Sequence, residues 1–276
     1  MAAIATKTLR SGAAIPVIGL GVFQSEPGAE TYNAVLSGLQ VGHRHIDTAQ
    51  FYRNEADVGK AIVDSGIPHD QVFVTSKIVS TVWNYDDVVK AVKESVGRIG
   101  GGYIDLYLLH APFDSATRAD AWRALEDMQA KGLLRDIGVS NYGEGYLKKL
   151  AETWRVKPAV NQIELHPWLT RTDTVQYCES QGIHLEAYSP LAQAKRINDP
   201  VLTRIAEEVN ATPAQVLIAW ILAKDFITLP KSVKELRQQE NLDSYKVKLS
   251  VDQVQRLDAL DEYYVATWDR IKDHAV

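Results

Sequence analysis

A single cysteine, Cys178, among 276 residues excludes an intrachain disulfide. Neither C-x-x-C nor H-E-x-x-H occurs, so neither a cysteine-ligated zinc nor a metalloprotease helix is indicated, and no metal site is expected. No sign of charge predominates: 30 Lys and Arg stand against 35 acidic residues, and the net charge of −5 disfavours nucleic acid or an anionic membrane as partner. Long apolar runs are missing too. Val216 to Ala223 falls far short of the ~20 residues of a membrane span. Met1 to Lys7 lacks the basic and then apolar segments of an export signal, so a reducing, cytoplasmic setting is expected. With 46% apolar and 24% charged residues the composition is that of a globular protein, which excludes disorder, collagen and coiled coil. No low-complexity linker interrupts the chain, so one domain over residues 1–276 is expected.

What is present is an alternation. Short β-branched runs recur at Val17–Leu20, His43–Asp47, Val72–Ser76, Asp105–Leu109, Asp136–Val139, Ala159–Ile163, His184–Ala187 and Ile227–Leu229. Amphipathic stretches separate them at about Ala29–Val41, Glu55–Ser65, Tyr85–Ile99, Arg118–Lys131, Glu144–Thr153, Thr172–Gln181 and a longer region, Asp199–Lys224. Within that region Thr212 reads as an N-cap with Pro213 at the first helical position. Strands of nearly equal length with no reversal point predict an α/β fold, a closed (β/α)8 barrel rather than a doubly wound sheet. Thr6–Arg10 and Ala14–Pro16 flank Ser11-Gly12 and predict an N-terminal hairpin that plugs the barrel bottom.

The active site of such a barrel lies where the strands end. Polar residues stand at seven consecutive ends: Asp47, Lys77, His110, Ser140-Asn141, Gln162, Tyr188-Ser189 and Lys231-Ser232. Any one alone reads as a loop residue or a helix cap; their coincidence on one rim points to a site.

Gly42-His43-Arg44-His45-Ile46-Asp47-Thr48-Ala49, with Tyr52 just beyond, Ile137-Gly138-Val139-Ser140-Asn141, and Leu229-Pro230-Lys231-Ser232-Val233 occur in order. On these motifs the chain resembles the aldo-keto reductase superfamily along essentially its whole length, and by its short tail, Tyr263 to Trp268, it most resembles the microbial and fungal members, including the diketogluconate reductase group. The resemblance implies reduction of aldehydes and ketones to alcohols with Asp47, Tyr52, Lys77 and His110 as the catalytic tetrad. Tyr52 would be the general acid, and an ordinary tyrosine pKa near 10 makes a neighbouring cation, Lys77, the expected means of lowering it. Asp47 would hold Lys77, and a neutral His110 would orient the carbonyl. The plain alternatives are a structural ion pair for Asp47 and Lys77 and a satisfied core imidazole for His110.

No G-x-G-x-x-G opens a helix, since Gln24 stands where the third glycine after Gly19 and Gly21 would fall. The resemblance instead implies a dinucleotide across the barrel mouth, beside Asp47. Ser140, Asn141 and Gln162 would bind its carboxamide and Tyr188 would stack on its nicotinamide, with Val22, Phe23, Gln24, Ser189, Leu191 and Gln193 along the groove. Ser232 and Glu235 read as an S-x-x-E capping box whose helix N-terminus attracts phosphate. The family's correspondence places the 2′-phosphate at Lys231 and Arg237 and the adenine at Glu240 and Asn241, with Ser232 and Val233 as further cofactor-binding residues. NADPH is therefore expected over NADH.

Many relatives carry tryptophan where this chain has Val79 and Ala111, so a roomier pocket is expected there, with Phe23, Tyr52, Trp83, His110 and Trp268 as further lining. The expected partner is a small carbonyl compound, and the expected state is monomeric. Two other readings are a non-catalytic NADPH-binding sensor of the same fold and a barrel glycosidase using Glu164 and Glu186.

Overall fold

A computed structural model describes residues 5–78, 84–112 and 115–271. The chain opens with the expected hairpin, β1 (Thr6–Thr8) and β2 (Ala14–Pro16), which pairs Lys7 with Ile15. Eight parallel strands follow in chain order: β3 (Leu20–Gly21), β4 (His45–Asp47), β5 (Phe73–Ile78), β6 (Ile104–Leu109), β7 (Leu134–Ser140), β8 (Val160–Glu164), β9 (His184–Tyr188) and β10 (Ile227–Leu229). The ring closes between its first and last members through parallel bridges, Ile18 with Thr228 and Gly21 with Lys231. The first strand shows as a short ladder displaced toward Gly21, rather than as Val17–Leu20, because its other edge pairs only through those bridges.

Around the barrel run α1 (Ala29–Val41), α2 (Glu55–Asp64), α3 (Tyr85–Ile99), α4 (Arg118–Ala130), α5 (Glu144–Ala151), α6 (Thr172–Ser180), α7 (Pro200–Glu208), α8 (Pro213–Ala223), α9 (Glu235–Asp243) and α10 (Val251–Asp258). Six of the seven expected helical stretches match single helices to within two residues at either end. The long Asp199–Lys224 region divides into two. Asn210 takes φ 51°, which stops α7, and Thr212 then opens α8 with the expected cap, its hydroxyl accepting from Gln215 N–H. None of the described helices is long and apolar enough to cross a membrane.

Leu9 and Ile15 of the hairpin are buried against Phe73, Val160 and Ile227, the first residues of β5, β8 and β10. The hairpin therefore floors the barrel at the ends where strands begin. Ser11 donates to Asp136 from the same turn. Gly19 lies where this floor meets the closing seam, and a Cβ there would come within 2.8 Å of the His45 ring. That close approach brings an imidazole into the barrel interior beneath the rim.

Candidate active site

The geometry at the opposite rim starts from β4 and β5. Their parallel register pairs Asp47 with Thr75, which leaves Lys77 two residues further along its strand and on the same inner face. Lys77 Nζ donates to both oxygens of Asp47, at 2.7 and 2.8 Å, to Thr48 O at 3.0 Å and to Tyr52 Oη at 3.3 Å. Burial opposes the ammonium, but the charge and hydrogen bonds of Asp47 hold its pKa above the ordinary value.

Tyr52 stands on a short 3-10 turn, Gln50–Tyr52, between β4 and α2. Asn54 anchors this turn. Its buried amide donates to Val22 O and to Thr31 Oγ1, both at 3.2 Å, and its Oδ1 accepts from Thr48 at 2.7 Å. Tyr52's pKa is raised, not lowered. Burial is the largest cause, and Asp47 offsets the pull of Lys77, so the phenol keeps its proton at neutral pH. The expectation of a depressed tyrosine treated Lys77 as an uncompensated cation, which it is not.

His110, just past β6, packs its ring 5.8 Å from that of Tyr52, edge to face. Burial, and then Lys77, push its pKa down to about 3, so the imidazole is neutral. Phe51 and Trp268 stand edge-on to the same ring, at 6.4 and 6.5 Å, and Phe23 lies 5.0 Å from Tyr52. The mouth is therefore aromatic, although Ala111 next to His110 is small and buried. Phe51 was missed in the sequence; its signal is the 60% exposure of a phenylalanine, which only coordinates reveal. Val79 and Trp83 lie outside the described residues.

The strand ends β7 to β9 form a second cluster. Ser140 Oγ donates to Gln162 O at 2.8 Å, Asn141 Nδ2 to His110 O at 3.0 Å, and Tyr188 Oη to Asn141 Oδ1 at 2.8 Å. Asn141 takes φ 63°, a conformation that asparagine tolerates better than most residues. Gln162 Nε2 donates to Asp47 Oδ2 at 2.8 Å and to Glu186 Oε2 at 2.6 Å, which leaves only its carbonyl oxygen for a ligand. Past β9, Ser189, Ala192, Gln193 and Ala194 all take positive φ. Ser189 and Gln193 bond Thr267 Oγ1 of the C-terminal segment, at 2.9 and 3.3 Å, and Leu191 packs on the main core.

The same segment explains Glu164. Its carboxylate accepts from Ala266 N at 2.6 Å and Thr267 N at 3.1 Å, and lies 3.0 Å from His166 Nε2. It anchors the tail, and Glu186 sits inside the barrel beneath Gln162, so the pair does not flank an open cleft as a glycosidase requires.

At the α9 end one expectation is corrected. Ser232 and Glu235 form no capping box: α9 begins at Glu235 with Lys234 as N-cap, and no side chain caps it. Ser232 Oγ instead accepts from Lys234 N at 3.0 Å, closing a local turn two residues too early to reach the helix. Lys231, Lys234 and Arg237 are exposed around this uncapped end beside exposed Val233, and neither Lys234 nor Arg237 has a carboxylate partner among the described residues. Lys231 Nζ reaches Gln24 O at 3.4 Å across the mouth. Glu240 accepts from Thr212 Oγ1 at 2.5 Å and so ties α9 to α8; Asn241 is buried.

A polar rim over a closed parallel barrel thus carries a lysine shared between an aspartate and a tyrosine. The chain belongs to the aldo/keto reductase family, whose sequence model matches residues 17–262. It is similar to a glyoxal reductase of Bacillus subtilis, 41% identical over 257 residues that cover 93% of each chain. Among solved structures, an aldo-keto reductase from a deep-sea metagenome library superposes with TM-score 0.92 at 33% identity, covering 96% of this chain and 98% of the other. A Bombyx mori aldo-keto reductase in complex with NADP gives TM-score 0.90 at 30% identity, covering 96% of both chains.

Proposed function

We propose that this chain reduces aldehydes and ketones to alcohols with NADPH, and that Asp47, Tyr52, Lys77 and His110 carry the reaction. The observation that supports it most is the Lys77 ammonium bonded at once to both Asp47 oxygens and to the Tyr52 hydroxyl. A purely structural ion pair needs no phenol at the rim.

The donor set fits a nicotinamide dinucleotide. Gln162 Oε1 can accept from a carboxamide, and Ser140 and Asn141 frame it. The hydroxyl of Tyr188 is tethered to Asn141, which fixes the ring for stacking. Val22, Phe23, Gln24, Ser189, Leu191 and Gln193 border the groove, and Lys231, Lys234 and Arg237 at the open N-terminus of α9 suit a phosphate. Glu240 and Asn241 follow on the same helix. NADPH, when bound, supplies the hydride. His110, neutral, donates a hydrogen bond to the substrate carbonyl and orients it. As negative charge develops on that oxygen, Tyr52 gives its proton, and the phenolate left behind is stabilised by Lys77 at 3.3 Å. Asp47 keeps Lys77 in place throughout. Phe23, Phe51 and Trp268 form an apolar collar that favours substrates with a hydrophobic or small carbonyl end.

The test is NADPH oxidation by wild type and Tyr52→Phe over aldehydes, α-keto esters and dicarbonyls, glyoxal among them because one relative bears that name, with NADH as control. Loss of a general acid lowers turnover by roughly 10²–10⁴-fold, and NADPH binding, followed by fluorescence, should persist. Undiminished turnover by Tyr52→Phe overturns the assignment.

A further inference from the structure

Glu186 lies on β9, fully buried in the barrel interior, where the strand register sets it beside Gln162 of β8. Oε2 accepts from Gln162, whose same nitrogen serves Asp47. Oε1 has no hydrogen-bond partner among the described residues and faces His45 Nε2 at 3.5 Å. The tautomer of His45 decides what that contact is. Nδ1 lies 3.2 Å from Pro16 O, and a carbonyl oxygen only accepts, so Nδ1 carries the hydrogen. Burial pushes the ring's pKa down to about 3, so it is neutral and Nε2 presents a lone pair, toward which Thr75 Oγ1 donates at 3.0 Å. An ionised Oε1 would set negative charge against that lone pair with no donor between them. A carboxylic acid at Oε1 carries no such charge, and its O–H shares the one Nε2 lone pair with the Thr75 hydroxyl.

Charge balance gives the same answer independently. The charged or titratable groups around Glu186 are His45 and Asp47 of β4, Lys77 of β5 and Tyr52 of the following turn. Among the described residues Lys77 is the one cation there, and Asp47 already holds it with both oxygens. A second buried carboxylate would be uncompensated.

We propose that Glu186 is a positioning residue of the reduction: an un-ionised acid that, through Gln162, Asp47 and Lys77, keeps the buried charge under Tyr52 balanced while the phenol gives up its proton. This rests on the carbonyl-reductase reading. Proton donation turns the neutral Lys77–Asp47–Tyr52 group into a singly negative one. With Glu186 ionised the cluster would carry two negative charges, and Tyr52 would be a weaker donor. Burial, then the charge of Asp47, push the Glu186 pKa up to about 8, so its loss of a proton falls within an accessible pH range.

Glu186→Gln reproduces the neutral acid: the amide oxygen accepts from Gln162 and the amide N–H points at His45. In the wild type, kcat/KM for carbonyl reduction should step down roughly tenfold between pH 6 and pH 9.5, the order expected for one added charge near the reacting proton. In Glu186→Gln that step should vanish. A variant that keeps the same step, even at a lower rate throughout, overturns the proposal and makes Glu186 a packing residue. A second readout needs neither turnover nor the variant. With glutamate δ-carbons labelled with ¹³C, one resonance of the wild type should titrate far above the others, and it should be missing from Glu186→Gln if that variant folds. Glutamates that all ionise in the ordinary carboxylate range overturn the proposal. Absence of turnover with every carbonyl tried would instead remove the reductase reading, whatever the carbon spectrum shows.

Discussion

Both carboxylate oxygens of Asp47 accept from the one ammonium of Lys77, at 2.7 and 2.8 Å, with the lysine side chain fully buried. Removing one partner strands the other. Lys77→Met should therefore cost about 3–5 kcal/mol of stability, read as a lower urea midpoint. The double variant Asp47→Asn with Lys77→Met should regain most of that loss, because no unpaired charge is left, yet reduce no carbonyl compound. A single variant that unfolds at the wild-type midpoint would show that the pair is better solvated than its burial indicates.

The dependence of stability on pH should have a knee. His43, His45 and His110 have pKa values depressed by burial to about 4, 3 and 3, against 6.5 ordinarily. The unfolded chain binds their protons first, so their stabilisation is complete above pH 6.5 and is lost as pH falls toward the folded values. Glu186 and Asp105 act in the opposite sense. Burial raises them to about 8 and about 6, so the folded chain holds their protons and stability returns as pH falls from those values toward their ordinary 4.5 and 3.8. The two trends oppose each other between pH 7 and pH 5, but three histidines outweigh two carboxyl groups. Urea midpoints should therefore fall gently from pH 7 to 5 and more steeply below 4.5, where the carboxyl contributions run out; a fall from pH 7 to 5 as steep as three unopposed histidines give would mean that the two carboxyl groups are ionised in the folded chain.

Arg237→Ala should narrow the preference for NADPH over NADH by roughly tenfold, the worth of one exposed charge-assisted contact to a phosphate. KM for NADH should hardly move. A preference unaltered in Arg237→Ala and in Lys231→Ala would leave the uncapped end of α9 as a solvated surface.

Sequence carried the architecture further than the chemistry. The eight strands were legible because strands buried on both faces read as short β-branched runs, and Ile227–Leu229 matches residue for residue. Boundaries failed where they depend on single backbone angles, as at Asn210, or on which of several hydroxyls reaches a helix, as at Ser232. Ser250 and Gln253, at the start of α10, form the capping box that Ser232 does not. Asp47, Lys77 and His110 were legible as polar strand ends, whereas Tyr52 and the proposed roles of all four were legible only through the family's motifs. The geometry that gives them meaning was not: the turn held by Asn54, the tail fastened to Glu164, and the two carboxylates joined by Gln162 all connect residues far apart in the chain. The direction of the Tyr52 shift was inaccessible for the same reason, since it depends on how closely Asp47 neutralises its neighbour.

The hairpin that floors the barrel also makes the site single-ended. From Tyr52 the polar column descends through Lys77, Asp47, Gln162, Glu186 and His45 and stops at the carbonyl of Pro16, a backbone group with no proton to lend. In the proposed reduction the Gln162 amide, which lies between Glu186 and Asp47, relays no proton upward, so a phenolate at the top is recharged through the rim, by the door the alcohol leaves through.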